Sequence, residues 1–475
     1  MASLGPATDR PGVLDAVLDA GADVVRINLS HGPLEEHVQR LKAVRVAARA
    51  RGRAVGVLAD LPGPKIRAGE FTDGGVDLPP DSTVRLMPGD GPSDAETIVV
   101  DYDDLLVDLD VGDRVVLGDG AIAMRVVRRG LPASPTGAAL ARVETGGRLQ
   151  GRPGVHLVCE GLRMTAPTAE DLVLADAIAD AGVDMIAVSF VRTAGDVVKV
   201  REVVGDRAGL VAKIETAAAL ADLAGIAAAA DALMVARGDL GIDCPLEDVP
   251  HLQKHIVRHC VEVGTPVITA TQMLESMIDA PSPTRAEVSD VANAVFDGTD
   301  AVMLSGETAI GRHPGAAVAT MARIAIRAES EASYRQWAER LGRRQRRTIV
   351  EADDVITAAV THAAWQAALD AGATAILCCT RSGRTARAMA RFRPGARLIG
   401  LSPSEGTVNA LTLSWGVEPV RVEEYHTTDE LVWHAVETAV QHGCVDHGDT
   451  VLVLAGAPDR HSTAATDVLR VVRVD

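Results

Sequence analysis

The stretch LVAKIETAAAL, residues 210–220, is an apolar run that includes Lys213 and is followed at once by Glu215. The stretch ALMVARGDLGI, residues 232–242, has a similar form, with an apolar run that leads to Asp239. Nearly continuous apolar runs of this length are typical of parallel strands that are buried on both faces. Both stretches therefore predict buried strands with charged residues at their carboxyl ends.

The same pattern recurs along much of the chain, where short apolar runs alternate with helical patterns. With a short first run at Ala2–Leu4, the predicted strands number about eight, which is the number that closes a (β/α)8 barrel. The other predicted strands are DVVRINL (23–29), AVGVLAD (54–60), DMIAVSF (184–190), LVAKI (210–214), ALMVA (232–236), TPVITA (265–270) and AVMLS (301–305).

Polar side chains stand at the carboxyl ends of most of these strands, which is the face where (β/α)8 barrels carry their active sites. One polar residue after a strand is more often a helix cap or a turn residue. Repetition over most of the strands favours a functional site instead. The residues are Arg26, Asn28, Asp60, Ser189, Lys213, Asp239, Thr271 and Ser305.

The alternation stops after Arg67, and residues 69–152 contain short strand patterns separated by turn residues. This predicts a small all-β domain inserted into a barrel loop, where it could act as a lid. The barrel is then expected to comprise residues 1–68 and 153–338. Residues 349–475 alternate strand and helix patterns again and indicate a C-terminal open α/β domain.

The bulk composition argues against several classes of protein. The formal net charge of -18 opposes nonspecific nucleic-acid binding, because a phosphate backbone repels such a surface. No apolar run reaches membrane-spanning length, and the N-terminal residues do not resemble a signal peptide. The six cysteines form no C-x-x-C pair, so reduced thiols in a cytoplasmic protein are expected.

Two carboxylates on neighbouring strand ends, Glu215 and Asp239, offer the hard oxygen ligands that Mg²⁺ or Mn²⁺ favours. Lys213 beside such a metal would stabilise the charge that develops on an oxygen during phosphoryl transfer. The alternative is a structural ion pair between Lys213 and Glu215, because residues two apart on a strand point the same way.

Anion-binding groups surround these carboxylates in the sequence. Gly238 permits close approach of the backbone, and the N–H groups of the turn that follows can hold a carboxylate or a phosphate. Arg26 can clamp a phosphate through its planar fork, and Arg67, near the lid junction, could do the same for a nucleotide.

The motifs in this order resemble the pyruvate kinase family, which transfers the phosphoryl group of phosphoenolpyruvate to ADP and gives pyruvate and ATP. The most specific stretch is PTRAEVSDVANAVFDGTDAVMLSGETAIGRHP, residues 283–314. The resemblance covers the barrel, the edges of the lid and, more loosely, the C-terminal domain. The shorter motifs are INLSHG (27–32), GPKIR (63–67), VSFVR (188–192), AKIE (212–215), VARGDLGI (235–242) and ATQMLESM (270–277).

The resemblance implies a role for each motif residue. Glu215 and Asp239 are expected to bind the divalent cation, and Lys213 to stabilise the phosphoryl group during transfer. Backbone amides around Arg237–Asp239 are expected to receive the substrate carboxylate. The other implied residues are Arg26, Ser189, Phe190, Ala236, Arg237, Gly238 and Thr271 for the substrate, Thr271 and Ser305 for proton delivery, and Asn28, His31, Arg67 and Arg152 for the nucleotide.

The chain departs from the family at its monovalent-cation region. Many members hold that cation at the positions of Asn28, Ser30, Asp60 and Leu61, and those members carry threonine in place of Leu61 and glutamate in place of Lys65. The Lys65 ammonium could supply the positive charge permanently. Activity without K⁺ is therefore expected, and the alternative is that Lys65 is a solvated loop lysine.

Two further departures concern the nucleotide and a regulator. At the lid junction, Arg152 keeps one of two adjacent basic residues and Pro153 removes the other, so nucleotide preference stays open. The segment TRSGRTAR (380–387) opens a helix and suits the phosphate of an effector, although a helix cap would use the same residues. The facing loop, residues 456–467, differs from the glycine-rich effector loop of well-known members. The expected effector residues are Thr380, Arg381, Ser382, Gly383, Arg384 and Thr385.

Two other functions stay open from the residues. A metal-dependent lyase or aldolase acting on pyruvate enolates would also pair Glu and Asp around Mg²⁺, although the lid and residues 283–314 speak against it. A catalytically inactive metabolite sensor is opposed by the presence of Lys213, Glu215, Asp239 and Arg26. The resemblance implies a cytoplasmic homotetramer with no nucleic-acid or membrane partner.

Overall fold

The structure is a computed structural model that describes residues 1–118, 120–130, 137–159, 162–332, 334, 337–342, 352–424, 428–456 and 465–475. Its strands, in chain order, are β1 (Ala2–Leu4), β2 (Val24–Asn28), β3 (Gly56–Asp60), β4 (Phe71–Leu78), β5 (Thr83–Pro88), β6 (Thr97–Val100), β7 (Arg114–Leu117), β8 (Ile122–Arg128), β9 (Ala139–Thr145), β10 (Gly147–Gly151), β11 (Val155–Val158), β12 (Met185–Val188), β13 (Gly209–Ile214), β14 (Ala232–Ala236), β15 (Val267–Ala270), β16 (Ala301–Val302), β17 (Ala375–Cys379), β18 (Arg397–Ser402), β19 (Val417–Arg421), β20 (Thr450–Gly456) and β21 (Thr466–Arg473).

The α-helices pack around these strands, and none of the described helices is long and apolar enough to cross a bilayer. They are α1 (Val13–Asp19), α2 (Leu34–Ala50), α3 (Leu105–Asp108), α4 (Ala169–Asp180), α5 (Ala194–Val204), α6 (Ala217–Ala221), α7 (Leu223–Ala229), α8 (Arg237–Asp243), α9 (Val249–Val263), α10 (Arg285–Asp297), α11 (Gly306–Ala309), α12 (Pro314–Glu331), α13 (Ala352–Ala371), α14 (Arg384–Ala390), α15 (Glu405–Leu411) and α16 (Thr428–Gln441).

An eight-stranded parallel sheet, in the order β1-β2-β3-β12-β13-β14-β15-β16, forms the barrel. It closes on itself because Ala2 bridges to Leu304 and the Ser3 N–H donates to the Leu304 carbonyl at 2.9 Å. The predicted (β/α)8 barrel is confirmed. The last strand ends at Val302 rather than Ser305, because the chain after Val302 makes single bridging hydrogen bonds instead of a continuous ladder.

The barrel strands are buried because helices cover the sheet, which explains their continuous apolar sequences. Every residue of β3, β12, β14 and β15 is buried. Polar groups in these strands therefore need internal partners, and the strand ends are where such partners meet.

The inserted β domain comprises a two-stranded sheet, β10-β4, and a six-stranded sheet in the order β11-β7-β8-β9-β5-β6, with its own apolar core. The six-stranded sheet takes in β11, which lies beyond the predicted domain boundary at residue 152 and pairs antiparallel with β7. The strand is short, and Gly151 and Gly154 both precede it, so its sequence is typical of a connector.

The C-terminal domain has a five-stranded sheet in the order β19-β18-β17-β20-β21. The predicted α/β architecture is confirmed, but the sequence analysis did not predict β21, which runs antiparallel to β20. Most β21 residues are exposed or half-buried. The strand therefore lacks the continuous apolar run that marks a buried parallel strand.

The C-terminal domain contacts the barrel at the amino-terminal ends of its strands, away from the predicted active-site face. Asn409 on α15 donates to Asp184 Oδ1 at 3.0 Å. Asp184 is buried, accepts the Val57 N–H at 2.7 Å and lies 2.8 Å from Arg45. Burial raises the pKa of Asp184, and these partners oppose the shift. The contact leaves the carboxyl ends of the strands free for a site.

Candidate active site

A cavity of about 790 Å³ opens at the carboxyl ends of the barrel strands. The barrel and the β domain both line it, as expected if the inserted domain covers the site. Of the residues predicted from the sequence, the cavity brings together Arg26, Asn28, Ser30, Asp60, Leu61, Lys65, Ser189, Phe190, Lys213, Glu215 and Asp239.

Lys213 lies at the centre of a charged network in this cavity. Its Nζ lies 2.8 Å from Glu215 Oε1 and 3.4 Å from Asp60 Oδ1, and it donates to Ser189 Oγ at 2.8 Å. Burial would lower the pKa of Lys213, but the charges of Asp60 and Glu215 outweigh burial and raise it above its usual value. Lys213 is therefore a permanently charged ammonium, held in one orientation.

Asp60 connects Lys213 to Arg26. The Arg26 guanidinium places Nη2 at 2.6 Å and Nε at 2.7 Å from Asp60 Oδ2, and it also donates to Ser3 Oγ at 3.1 Å. Burial would raise the pKa of Asp60, but the charges of Lys213 and Arg26 hold it below its usual value. One ionised carboxylate thus orients both Arg26 and Lys213.

Glu215 has a buried carboxylate oxygen that accepts no hydrogen bond. Its Oε2 accepts the Phe190 N–H, whereas Oε1 lies in the ion pair with Lys213 but outside hydrogen-bond geometry. Burial raises the pKa of Glu215, and the Lys213 ammonium opposes the shift. Such an oxygen is a suitable ligand for a hard cation, and Asp239 lines the same cavity.

These two carboxylates fit Mg²⁺ or Mn²⁺. Within the part of the chain that the structure describes, no group of three or more His, Cys, Asp or Glu side chains is arranged to hold a metal ion. Mg²⁺ is usually bound through one or two carboxylates, with water and substrate oxygens completing its octahedron. The residues present therefore suit a divalent cation that reaches full coordination only with substrate.

Backbone strain marks the ends of two barrel strands. Phe190, Thr271 and Gln272 have φ values of 54°, 68° and 53°, in the left-handed region that non-glycine residues rarely adopt. The Thr271 loop is held because Gly238 N–H donates to Thr271 Oγ1 at 3.0 Å and Arg237 Nη2 donates to the Thr271 carbonyl at 2.6 Å. Strain of this kind persists where surrounding contacts impose it, which is common in active sites.

The Arg237 side chain is directed into this loop. It pairs with Asp290 at 2.7 Å and donates to the Ala270 carbonyl at 3.2 Å. Arg237 therefore positions the Thr271 loop, a role that the sequence analysis did not assign to its side chain.

Several predicted substrate residues do not line the cavity, although the chain places them at the ends of β14, β15 and β16. The Ser305 N–H donates to Glu307 Oε2 at 2.7 Å, and the buried Glu307 also accepts the Leu274 N–H at 3.0 Å. Glu307 thus joins the loops after β15 and β16. The residues outside the cavity lining are Ala236, Arg237, Gly238, Thr271 and Ser305.

The predicted nucleotide residues lie in two places. Asn28 lines the cavity, whereas Arg67 and Arg152 meet at the lid junction, where Arg67 Nη1 donates to the Arg152 carbonyl at 3.3 Å. His31 is exposed, and its pKa is lowered by partial burial and by the positive charges of Lys65 and Arg67. The structure does not bring His31, Arg67 and Arg152 into the cavity lining.

The sequence analysis missed the cavity residues that the β domain contributes. His156, Val158 and Cys159 lie on or just after β11, and Asp113 lies just before β7. The predicted boundary at residue 152 assigns the short β11 strand to the barrel, so Arg152 is the only lid side chain that the sequence predicts at the site. The alternation in VHLV was the one available signal, because it is typical of a half-buried strand.

The predicted effector segment forms the turn before α14. Thr380 Oγ1 accepts the Gly383 N–H at 2.9 Å, and Gly383 has a φ of 84°. Thr385 Oγ1 lies 2.8 Å from Thr466 Oγ1, and Arg381 lies 3.4 Å from Glu424. The facing loop, predicted at residues 456–467, falls mostly outside the described residues.

The GPKIR motif requires glycine at Gly63, where φ is +68° and an added Cβ would lie 2.7 Å from Phe190 Cδ2 and 2.8 Å from Ser189 Cβ. We expect Gly63→Ala to lower the free energy of unfolding by about 2–4 kcal/mol, because strain and overpacking add. Urea unfolding measures the change.

Gly443→Ala is the matched control for Gly63→Ala. Gly443 has a φ of +64° and no atom within 4 Å of the added Cβ, so only the backbone strain applies. We expect a loss of about 1 kcal/mol there. Equal losses in the two variants would show that the contacts around Gly63 tolerate a methyl group.

Comparison with known proteins links this geometry to one family. The family model described as pyruvate kinase, barrel domain, matches residues 1–318, and that described as pyruvate kinase, alpha/beta domain, matches residues 358–472. A pyruvate kinase of Geobacillus stearothermophilus is 40% identical over 475 residues, which cover 99% of this chain and 79% of the relative. A pyruvate kinase of Methylorubrum extorquens is 40% identical over 458 residues, covering 96% and 93%. One from Staphylococcus aureus is 37% identical over 484 residues, covering 99% and 79%.

Proposed function

The chain belongs to the pyruvate kinase family and is a phosphotransferase that acts in glycolysis, moving the phosphoryl group of phosphoenolpyruvate to ADP, and we propose that this transfer takes place in the cavity at the barrel mouth. The observation that carries the proposal is the network in which Asp60 orients both Arg26 and Lys213. Two fixed cations beside a pair of carboxylates provide what phosphoryl transfer requires.

Arg26 and Lys213 stabilise the charge of the phosphoryl group. Arg26 holds the substrate phosphate through its fork, and Lys213 contacts the group as it moves towards ADP. Because Asp60 and Ser189 already orient both cations, little reorganisation accompanies the reaction.

Glu215 and Asp239 hold the divalent cation, Mg²⁺ or Mn²⁺. When bound, the cation neutralises charge on the phosphate and on the enolate oxygen. The Phe190 N–H fixes one oxygen of Glu215 and leaves Oε1 for this purpose.

The Thr271 loop binds the carboxylate of the substrate and provides the group that protonates the substrate carbon. N–H groups at Gly238 and Asp239 bind the substrate carboxylate. The Thr271 hydroxyl accepts the Gly238 N–H at 3.0 Å and donates to the Ala270 carbonyl at 2.7 Å. A carboxylate that takes the Gly238 N–H removes the first of these bonds, and the hydroxyl turns from Ala270 to deliver a proton. Ser305, which follows β16, takes part in the same relay.

The proposal that activity does not require K⁺ rests on the side chains that occupy the monovalent-cation region. Asp60 has both oxygens engaged, by Arg26 and by Lys213 with Ser189. Leu61 offers no side-chain oxygen, and the exposed Lys65 lines the same cavity. The occupied oxygens of Asp60 and the apolar Leu61 side chain leave little oxygen coordination for K⁺, and the Lys65 ammonium would supply the positive charge.

We expect full turnover in potassium-free and sodium-free buffer, and we expect Lys65→Glu to lower that turnover about tenfold or more and to make it respond to K⁺. The reason is that the substitution removes the resident ammonium and adds a carboxylate. Pyruvate formation from phosphoenolpyruvate, ADP and Mg²⁺, with and without K⁺, measures the change. Lys42→Glu, an exposed site on α2, is the control for the charge change. Strong K⁺ activation of the unmodified chain would contradict the proposal.

Assembly, regulation and location are further proposals that rest on family membership. We propose a cytoplasmic homotetramer in which residues 380–385 bind a phosphorylated effector. Light scattering after size exclusion tests the tetramer through its mass, which should be four times the 49.6 kDa of one chain.

A further inference from the structure

A second cavity, of about 610 Å³, lies between the amino-terminal ends of the barrel strands and the C-terminal domain. It shares no lining residue with the cavity at the barrel mouth. The barrel lines it through residues 182–185 and 208–209, and the C-terminal domain through residues 404–407 and Arg387. The proposed phosphoryl-transfer chemistry makes no use of this cleft.

Arg387 differs from the paired charges around it. Arg45, in the same cleft, lies 2.8 Å from Asp184. The Arg387 guanidinium instead donates to the Ser382 carbonyl at 3.0 Å, and within the described ranges it has no carboxylate at ion-pair distance. Its remaining donors are therefore available to a bound group.

A smaller pocket of about 10 Å³ adjoins the cleft, and Arg387 and Ser414 line both spaces. This volume is about that of one water molecule, so the pocket can receive a single oxygen atom. Arg387 and Arg393 line the pocket, and among its described lining residues the only carboxylate is Asp300, which lies 3.7 Å from Arg393. The positive charges of this pocket therefore favour an anion as its occupant.

Hydrogen-bond donors on Arg393 and Ser414 are further evidence for a bound anion. The Arg393 side chain is 1% exposed, lies 3.7 Å from Asp300 and over the Trp415 ring, and donates through Nη2 to the Gly298 and Thr299 carbonyls. Its Nε and Nη1 have no hydrogen-bond partner among the residues that the structure describes. The hydroxyl of Ser414, a residue that is 5% exposed, also has none. Buried polar groups are nearly always hydrogen-bonded, so these unbonded donors favour a bound acceptor.

We propose that this interdomain cleft binds a phosphate group, with Arg387 and Ser414 as donors and one phosphate oxygen directed towards Arg393. The group is either free inorganic phosphate or the phosphate of a small metabolite whose remainder occupies the wider cleft. The barrel contributes Thr265 and Asp300 to the small pocket, so the bound anion contacts both domains and fixes them relative to each other.

Isothermal titration calorimetry of the full chain, at constant ionic strength, tests the site with inorganic phosphate and separately with glycerol phosphate. An Arg26→Gln background removes a phosphate contact at the barrel mouth. Ser414 makes no hydrogen bond to residues 380–385, so Ser414→Ala separates the cleft from the proposed effector segment. We expect binding in that background to weaken about tenfold on Arg387→Gln and about fivefold on Ser414→Ala, because each removes a donor to an anion. Because Ser414 Oγ has no hydrogen-bond partner among the described residues, Ser414→Ala is not expected to disturb folding.

Arg207→Gln is the matched control, since Arg207 lines the same cleft but already pairs with Asp176 at 2.7 Å. Its affinity should match that of the Arg26→Gln background. Tighter binding of inorganic phosphate would identify the free ion as the ligand, and tighter binding of glycerol phosphate would identify a metabolite. Absence of binding by both probes at millimolar concentration, or equal affinity in the Arg387→Gln and Ser414→Ala variants and the background, would overturn the proposal.

Discussion

Lys213→Met lowers the turnover of phosphoenolpyruvate about a thousandfold or more, which corresponds to about 4 kcal/mol of transition-state stabilisation. Methionine keeps most of the side-chain volume but removes the ammonium that lies 2.8 Å from Glu215 Oε1 and 3.4 Å from Asp60 Oδ1. The phosphoryl group then loses its one contact with a cation that Asp60 and Ser189 both orient. Steady-state pyruvate formation at saturating substrate measures the loss.

The same substitution leaves two buried carboxylates with less compensation, so folding must be measured separately. Removing one partner of a buried pair destabilises a protein by about 3–5 kcal/mol. Circular dichroism at the assay temperature shows whether the variant remains folded. Lys254→Met removes a partly exposed lysine that pairs with Asp297, and it should keep full turnover. A folded Lys213→Met chain with more than about a tenth of normal turnover would contradict the assigned role.

The positions of the barrel strands and of the site residues could be predicted from sequence for a geometric reason. Parallel strands in a closed barrel all end on one face, so a polar residue after each buried run must join the others. Arg26, Asp60 and Lys213 follow this rule, since they lie on β2, β3 and β13 and converge in one cavity.

The connections within the site could not be predicted in the same way, because they depend on register and side-chain direction. Asn28 is the register partner of Asp60, and this pairing brings Arg26, two residues earlier, within reach of the carboxylate. The sequence alone does not show that Asp60 joins two cations. Nor does it show that the Arg237 side chain holds the Thr271 loop.

Strands that are short or half exposed could not be predicted from the sequence either. β11 contributes side chains to the cavity, and β21 completes the C-terminal sheet, yet neither has the continuous apolar run of a buried parallel strand. The place of β11 is decided by pairing with β7, which is distant in sequence, and that of β21 by pairing with β20. Tertiary pairing of this kind outweighs local propensity.

Glu215→Gln is expected to raise the Mg²⁺ concentration needed for half-maximal activity about 100-fold and to lower turnover by a similar factor or more. Glutamine has nearly the same shape and can still accept the Phe190 N–H, but it lacks the charge that makes Oε1 a strong ligand for a hard cation. Binding of Mn²⁺, measured from the electron paramagnetic resonance signal of the free ion, reports the loss without turnover. Asp243→Asn is the control, because Asp243 lines the same cavity but accepts the Ala217 N–H and is not an expected metal ligand.

The two substitutions together decide between a catalytic site and a structural ion pair. Lys213 and Glu215 are partners at 2.8 Å, so a purely structural pair predicts that removing either one has the same effect, a loss of stability with unchanged metal affinity. The proposed site predicts opposite metal responses: Lys213→Met retains Mn²⁺ binding and loses turnover, whereas Glu215→Gln loses Mn²⁺ binding as well. If the folded Glu215→Gln chain bound Mn²⁺ as tightly as the Asp243→Asn chain, the divalent cation would have to be held elsewhere and the role of Glu215 would reduce to neutralising Lys213.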